Sequence, residues 1–229
     1  MAFKLLGFPI KIEGSFLLTL AFIGWLSFSN RPSGDLVPLV VAFVAIAVVA
    51  VLIHEFGHAF AARSQGTVGT PQISLAGMAG LTRYRLEEAP GRGQSIFISF
   101  AGPLTGIVLG AIILGVRSAG IVDETAFVRD LFVIGLFVTF GWSAFNLIPI
   151  VPLDGGHIMT DLLPGDRLER RRRAAWVSIA IAGVLAPVLW FVTGLLFAPI
   201  IVAGMGFQNW TSLKNLPAVP HPTASVQDS

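Results

Sequence analysis

V51-L-I-H54-E55-F-G-H58-A-F-A-A62 is the stretch whose reading decides the rest. It places two imidazoles and a carboxylate inside an otherwise apolar run. An ionisable group at the centre of a membrane helix costs about 2.5–3.5 kcal/mol on insertion scales, so such groups in a span point to a use. The spacing supplies one. Residues i and i+4 share a helix face, so His54 and His58 can address one ion. H-E-x-x-H on a helix is the pattern in which two histidines hold zinc and the intervening Glu serves as general base.

The composition around this stretch supports a membrane setting. Of 229 residues, 54% are hydrophobic and 12% charged, against about 25% charged in soluble domains. Mean hydropathy is +0.79. The expectation is an all-α polytopic membrane protein of about six transmembrane helices, with a small β-hairpin or loop between the second and third. A net charge of +2 is too small to suggest a nucleic-acid partner. There is no cysteine, so any metal site must use His, Asp or Glu. No A-x-A-like cleavage site follows the first apolar run, so no cleaved signal peptide is expected.

The spans expected on apolar length are 14–29, 36–62, 95–116, 131–150, 174–192 and 194–210. Met1–Glu13 reads as a short amphipathic lead-in. Thr67–Leu86 carries Gly69, Gly77, Gly80 and Pro71 and reads as the hairpin or loop. Asp161–Arg173 reads as a polar connection. Ala174–Trp210 has no charge and is too long for one crossing; Thr193–Gly194 is the natural break. Residues 1–213 form one expected membrane domain, and 214–229 a disordered tail.

With six spans and an inside N-terminus, most Lys and Arg fall on the inner side. They are Lys4, Lys11, Arg63, Arg83, Arg85, Arg92, Arg167, Arg170–Arg173 and Lys214; only Arg31, Arg117 and Arg129 lie outside. Both termini and the His58 end of the second span are thus expected to be cytoplasmic.

A catalytic zinc needs three protein ligands and an open position. Of thirteen acidic residues, only Glu55 and Asp154 lie in or at the end of strongly apolar spans. Asp154 is therefore the expected third ligand. Gly155 and Gly156 let the backbone turn closely there, and Pro149 and Pro152 break the helix before it. Asn146 is an amide that can donate to an oxyanion or, alternatively, bond between helices.

H54-E-F-G-H58 with N146-L-I-P-I-V-P-L-D154-G-G resembles the site-2 protease family of intramembrane zinc metalloproteases. A101-G-P103 and the glycine-rich 66–83 segment resemble it too, although A-G-P alone reads as small-residue helix packing. The resemblance implies one Zn²⁺ per chain held by His54, His58 and Asp154, with Glu55 as base and Asn146 at the oxyanion. It also implies a multi-pass cell-membrane protein whose partners are the lipid bilayer and a transmembrane protein substrate, cleaved in regulated intramembrane proteolysis of, for example, an anti-sigma factor or a membrane-tethered regulator. This chain has Gly106 where the family often has Asn, and it reads as a minimal form without a PDZ or nucleotide-sensing domain.

A substrate must be extended to expose a carbonyl. The Gln72–Tyr84 segment could pair with it by strand addition, with Gln72, Ile73, Ser74 and Leu75 as the expected edge. His157 and His221 read as interfacial and solvent-exposed, and Arg170–Arg173 as a topology determinant near anionic lipid. The competing reading is a transporter or a non-proteolytic metal-binding membrane protein. Glu55 separates the two, because only a hydrolase needs a base between the ligands.

Overall fold

The computed structural model describes residues 1–31, 33–123, 125–193 and 197–217. These form two compact units, Met1–Ile148 and a second that begins at Pro149.

The first unit opens with two strands, β1 (Ala2–Leu5) and β2 (Phe8–Ile12), before the helices α1 (Gly14–Phe28) and α2 (Ser33–Ser64). Strands β3 (Gln72–Ala76) and β4 (Ala79–Arg83) follow, then α3 (Arg92–Ser118) and α4 (Ala126–Asn146). The expected hairpin is therefore present as β3–β4. The amphipathic lead-in forms a second hairpin, β1–β2. Phe8, Ile10 and Ile12 alternate with polar or half-exposed residues, which is the period of a strand with one buried face.

The four strands make one sheet in the order β1-β2-β3-β4. Both hairpins are antiparallel, and β2 joins β3 in parallel with Ile10 opposite Ile73 and Ile12 opposite Leu75. This corrects one expectation. Gln72, Ile73, Ser74 and Leu75 are not an edge, because β3 is flanked by β2 and β4. The outer strand of that hairpin is β4. An edge is defined by the absence of a neighbour, and the neighbour here arrives from the other end of α1 and α2.

The apolar face of the sheet lies on the C-terminal half of α2. Phe8, Ile10, Ile12, Ile73 and Leu75 form one buried cluster with Phe16, Val51, Phe56 and Ala59. Phe8 meets Phe60 edge-on at 4.9 Å, and Arg63 lies over the Phe8 ring. From Leu39 to Ala50, α2 buries Leu39, Phe43, Ala47 and Ala50 against Ile134 and Val138 of α4. That is a stripe at helical spacing. Helix α3 approaches both neighbours through small residues. Gly57 of α2 sits on the Ala101 carbonyl, and Gly106 and Gly110 of α3 sit on Ser143 and Thr139 of α4. A-G-P thus does act in packing, and Gly106 leaves room for the Ser143 hydroxyl.

The second unit holds α5 (Asp154–Leu162), α6 (Arg167–Thr193) and α7 (Phe197–Lys214). The stretch expected to be a polar connection is largely helical. Asp166 Oδ1 accepts from the backbone N–H of Leu168 and Glu169 at 2.8 and 2.9 Å, and Glu169 Oε2 accepts from the Asp166 N–H. This reciprocal cap starts α6 ahead of the arginine run. Arg170 then pairs with Asp161 of α5 at 3.0 Å. Gly194, His221 and the rest of the tail beyond residue 217 lie outside the described residues.

Among the described residues, four helical stretches are long and apolar enough to cross a membrane: Gly34–Ser64, Arg92–Ser118, Ala126–Asn146 and Arg167–Val192. Helix α1 is a shorter apolar helix. The molecule is a polytopic membrane protein built on helices, with a small sheet applied to one of them.

Candidate functional site

Helix α2 presents His54 and His58 one turn apart, with Glu55 between them. All three are buried, at 2%, 8% and 4% exposure, although ionisable residues are seldom buried without partners. The histidine Nε2 atoms lie 3.1 Å apart. Two ligands on a tetrahedral zinc, each at about 2.0–2.1 Å, would stand roughly 3.4 Å apart, so the pair lies a few tenths of an ångström inside the spacing such an ion requires.

The His58 ring is oriented from its far side. Its Nδ1 lies 2.7 Å from the carbonyl oxygen of Ile98 on α3. A carbonyl only accepts, so the proton sits on Nδ1 and the Nε2 lone pair is left for a ligand. Backbone or carboxylate acceptors behind metal-binding histidines commonly serve this purpose. Trp142 on α4 meets the His54 ring in a T-shaped arrangement, with ring centroids 6.5 Å apart.

Glycine makes this approach possible. A Cβ at Gly102 of α3 would run into His58 Nε2 and lie 2.8 Å from His54 Nε2. A Cβ at Gly57 would meet the Ala101 carbonyl and the Thr105 hydroxyl. Thr105 Oγ1 lies within hydrogen-bonding distance of the Ile53 carbonyl (3.1 Å) and the Gly102 carbonyl (2.8 Å), next to the histidine face.

The Glu55 side chain reaches β4. The Thr82 hydroxyl donates to Glu55 Oε2 at 2.6 Å, and the Glu55 backbone carbonyl is also within its reach at 3.1 Å. Gly80, two residues earlier on the same strand, lies so close that any Cβ there would strike the Glu55 carboxylate.

Asn146 ends α4 in the first unit, and its Nδ2 donates to the Trp142 carbonyl at 2.9 Å. Asp154 belongs to the second unit, where it occupies the first turn of α5. The turn before it is tightly fastened. The Val151 N–H donates to Ser178 Oγ of α6 at 3.0 Å, and Asn209 Nδ2 of α7 donates to the Val151 carbonyl. Gly156 presses on the backbone of Ile150 and Val151, where a Cβ has no room. Ser178 and Asn209 are both buried. His157, in the same helix, is exposed.

The first unit thus brings His54, Glu55 and His58 together around two facing ring nitrogens. Sequence reasoning had no access to Ile98, Gly102, Thr82 and Gly80, nor to Ser178 and Asn209. Only two carried a signal, Gly102 as the centre of A-G-P and Gly80 as one of the hairpin glycines.

The model of Peptidase family M50 matches residues 118–187. The zinc metalloprotease MJ0392 of Methanocaldococcus jannaschii is 30% identical over 163 residues, which is 70% of this chain and 44% of that protein. The protein Rip3 of Mycobacterium tuberculosis is 29% identical over 224 residues, 89% of this chain and 55% of its own length. The chain therefore spans about half the length of the curated relatives it matches. Among solved structures, the site-2 protease from Methanocaldococcus jannaschii superposes with a TM-score of 0.59 at 25% identity, covering 96% of each chain.

Proposed function

We propose that this chain, which belongs with the site-2 proteases of peptidase family M50, is a zinc endopeptidase that hydrolyses a peptide bond in or near a transmembrane segment of a membrane-protein substrate. The observation that carries this reading is the pair of His54 and His58 Nε2 atoms 3.1 Å apart, with Glu55 buried beside them. Two imidazoles whose Nε2 atoms face each other on an apolar helix fit a divalent metal with nitrogen preference.

His54 and His58 would hold the zinc through Nε2, and Asp154 would add a carboxylate oxygen as third ligand. When bound, the ion supplies Lewis acidity and a water of pKa lowered toward about 7. Glu55 takes the proton from the attacking water on its carboxylate and delivers it to the departing amine nitrogen. Asn146 donates its amide to the oxygen that becomes negative as the carbonyl is attacked. The Ile98 carbonyl keeps the His58 ring from rotating during these steps.

The substrate segment has to unwind, because a helix spends its carbonyls on internal hydrogen bonds. The outer edge of β4 offers an extended segment a template beside Glu55. Small and helix-breaking residues in the substrate ease that transition. The cellular reading is regulated intramembrane proteolysis at the cell membrane, with both termini and the site toward the cytoplasm. The lysine and arginine distribution supports this side.

The test combines metal content with cleavage. Wild-type protein is expected to purify with one zinc per chain and to cut a co-expressed substrate containing a single apolar span. Glu55→Gln is expected to keep the zinc and to lose cleavage by at least the 10²–10⁴ typical of general acid–base catalysis. Normal cleavage by that variant would falsify the assignment of the base. Wild-type protein without stoichiometric zinc would overturn the ligand assignment.

A further inference from the structure

We infer that Thr82 is a positioning residue for the Glu55 carboxylate, so that the strand offered to substrate is also the strand that aims the base. This rests on the reading of Glu55 as general base. Thr82 Oγ1 donates to Glu55 Oε2 at 2.6 Å, within the 2.5–2.7 Å range of charge-assisted O–H···O⁻ bonds. The same hydroxyl lies 3.1 Å from the Glu55 backbone carbonyl, so its reach takes in both ends of the residue.

The shape of β4 agrees. Residues 80 and 82 share one strand face, and both are half-buried while Ala79, Leu81 and Arg83 are exposed. On the buried face, position 80 has no side chain where any Cβ would strike the carboxylate, and position 82 has a hydroxyl that bonds it. The strand is bare where the base needs space and polar where it needs a partner. Threonine is also stiff at χ1, so its hydroxyl holds a direction that a flexible donor would not.

Strand β4 is fixed on one side, where Ile73 of β3 pairs with Thr82. Its other side is the sheet edge. A substrate added along that edge would be registered to the same strand that orients Glu55. Base and scissile bond would then share one reference frame, which is how positioning lowers a barrier.

The experiment uses the full chain in detergent. The probe is a quenched-fluorescent peptide of about 20 apolar residues interrupted by Gly-Pro. Zinc content and melting temperature are recorded beside kcat and KM for wild type, Thr82→Val, Thr82→Ser, Thr82→Ala and Glu55→Gln. Thr82→Val keeps the shape and removes the donor. It is expected to retain zinc and melting temperature, to lose roughly 10- to 100-fold in kcat, and to keep KM within about twofold. Thr82→Ser is expected to recover most of that loss. If Thr82→Val turns over like wild type while Glu55→Gln is inactive, the Thr82 assignment is overturned and the base assignment stands. If Thr82→Val loses zinc or fold, the Ser and Ala variants decide, and equal kcat in those two overturns the assignment. Cleavage by Glu55→Gln, or none by wild type, overturns the reading beneath it.

Discussion

The two halves of α2 solve different problems with one helix. The first half behaves as an ordinary membrane helix, with Leu39, Phe43 and Ala47 buried against α1 and α4 and Val37 and Val41 exposed. The second half buries His54, Glu55 and His58, and it is the half that receives the sheet and the closest approach of α3. Where the helix is apolar, neighbours contribute apolar side chains and the bare face of Gly24. Where it is polar, they contribute acceptors, donors and bare glycines. The polar trio is tolerated because the Ile98 carbonyl and the Thr82 hydroxyl stand where lipid would otherwise be. The difference teaches that the sheet belongs to the site and is no ornament on the bundle.

Perturbing the two halves equally should therefore give unequal results. The largest effect is expected at the ligands. His58→Ala should abolish both bound zinc and cleavage, measured by metal analysis of purified protein and by product formation. Stripping wild type with a chelator should reproduce the loss, and added zinc should restore activity.

Next in size is Gly102→Val, which puts a branched side chain where even a Cβ meets His58 Nε2. Zinc stoichiometry should fall well below one while the helical circular dichroism stays close to wild type. Full zinc occupancy in this variant would contradict the close approach of α3 to the histidines.

Gly57→Ala should follow. Its methyl would meet the Ala101 carbonyl, a backbone atom that cannot step aside, and the Thr105 hydroxyl at 2.7 Å. Overpacking of this kind costs typically 1–3 kcal/mol, visible as a lowered melting temperature in detergent.

Gly24→Ala makes the same chemical change against the other half of α2. Its methyl would lie 3.1 Å from a Phe43 ring carbon, which can yield by a few tenths of an ångström. Replacing Gly in a helix gains about 0.5–1 kcal/mol, so the net shift should be near zero. A drop as large as that of Gly57→Ala would erase the contrast between the halves.

The sequence made the motif half of α2 legible because H-E-x-x-H is a local pattern with a helical period. The hairpin β3–β4 was legible from its glycines, and α3 and α4 from their apolar length. Phe8–Ile12 alternates in plain sight, but its partner Ile73 lies beyond two helices, and no local pattern announces a parallel neighbour. The edge assignment at Gln72–Leu75 failed for that reason. The helix over Asp154–Leu162 was hidden by Gly155 and Gly156, which lower helix propensity, although Asp166 and Glu169 spelled a capping box just beyond it. Thr82 was illegible in a different sense. It is one hydroxyl in a glycine-rich run, and only the packing of β4 on α2 gives it a role. Ser178 and Asn209 are similar cases, since their partner is a backbone amide and carbonyl of Val151.

The parallel register of β2 on β3 has a topological consequence. The chain leaves the sheet at Ile12, runs through α1 and α2, and re-enters the same sheet at Gln72 beside the strand it left. Its outward and return journeys must cancel. Helix α1 has 15 residues and α2 has 32, or about 22 and 48 Å of rise. The legs of this loop are unequal by more than half, so the longer must slant, or overrun the shorter at one end. The surplus is the end that carries His54, Glu55 and His58, and it lies against the sheet. Four strands, paired by backbone hydrogen bonds, thereby act as a clasp that holds both ends of the loop together.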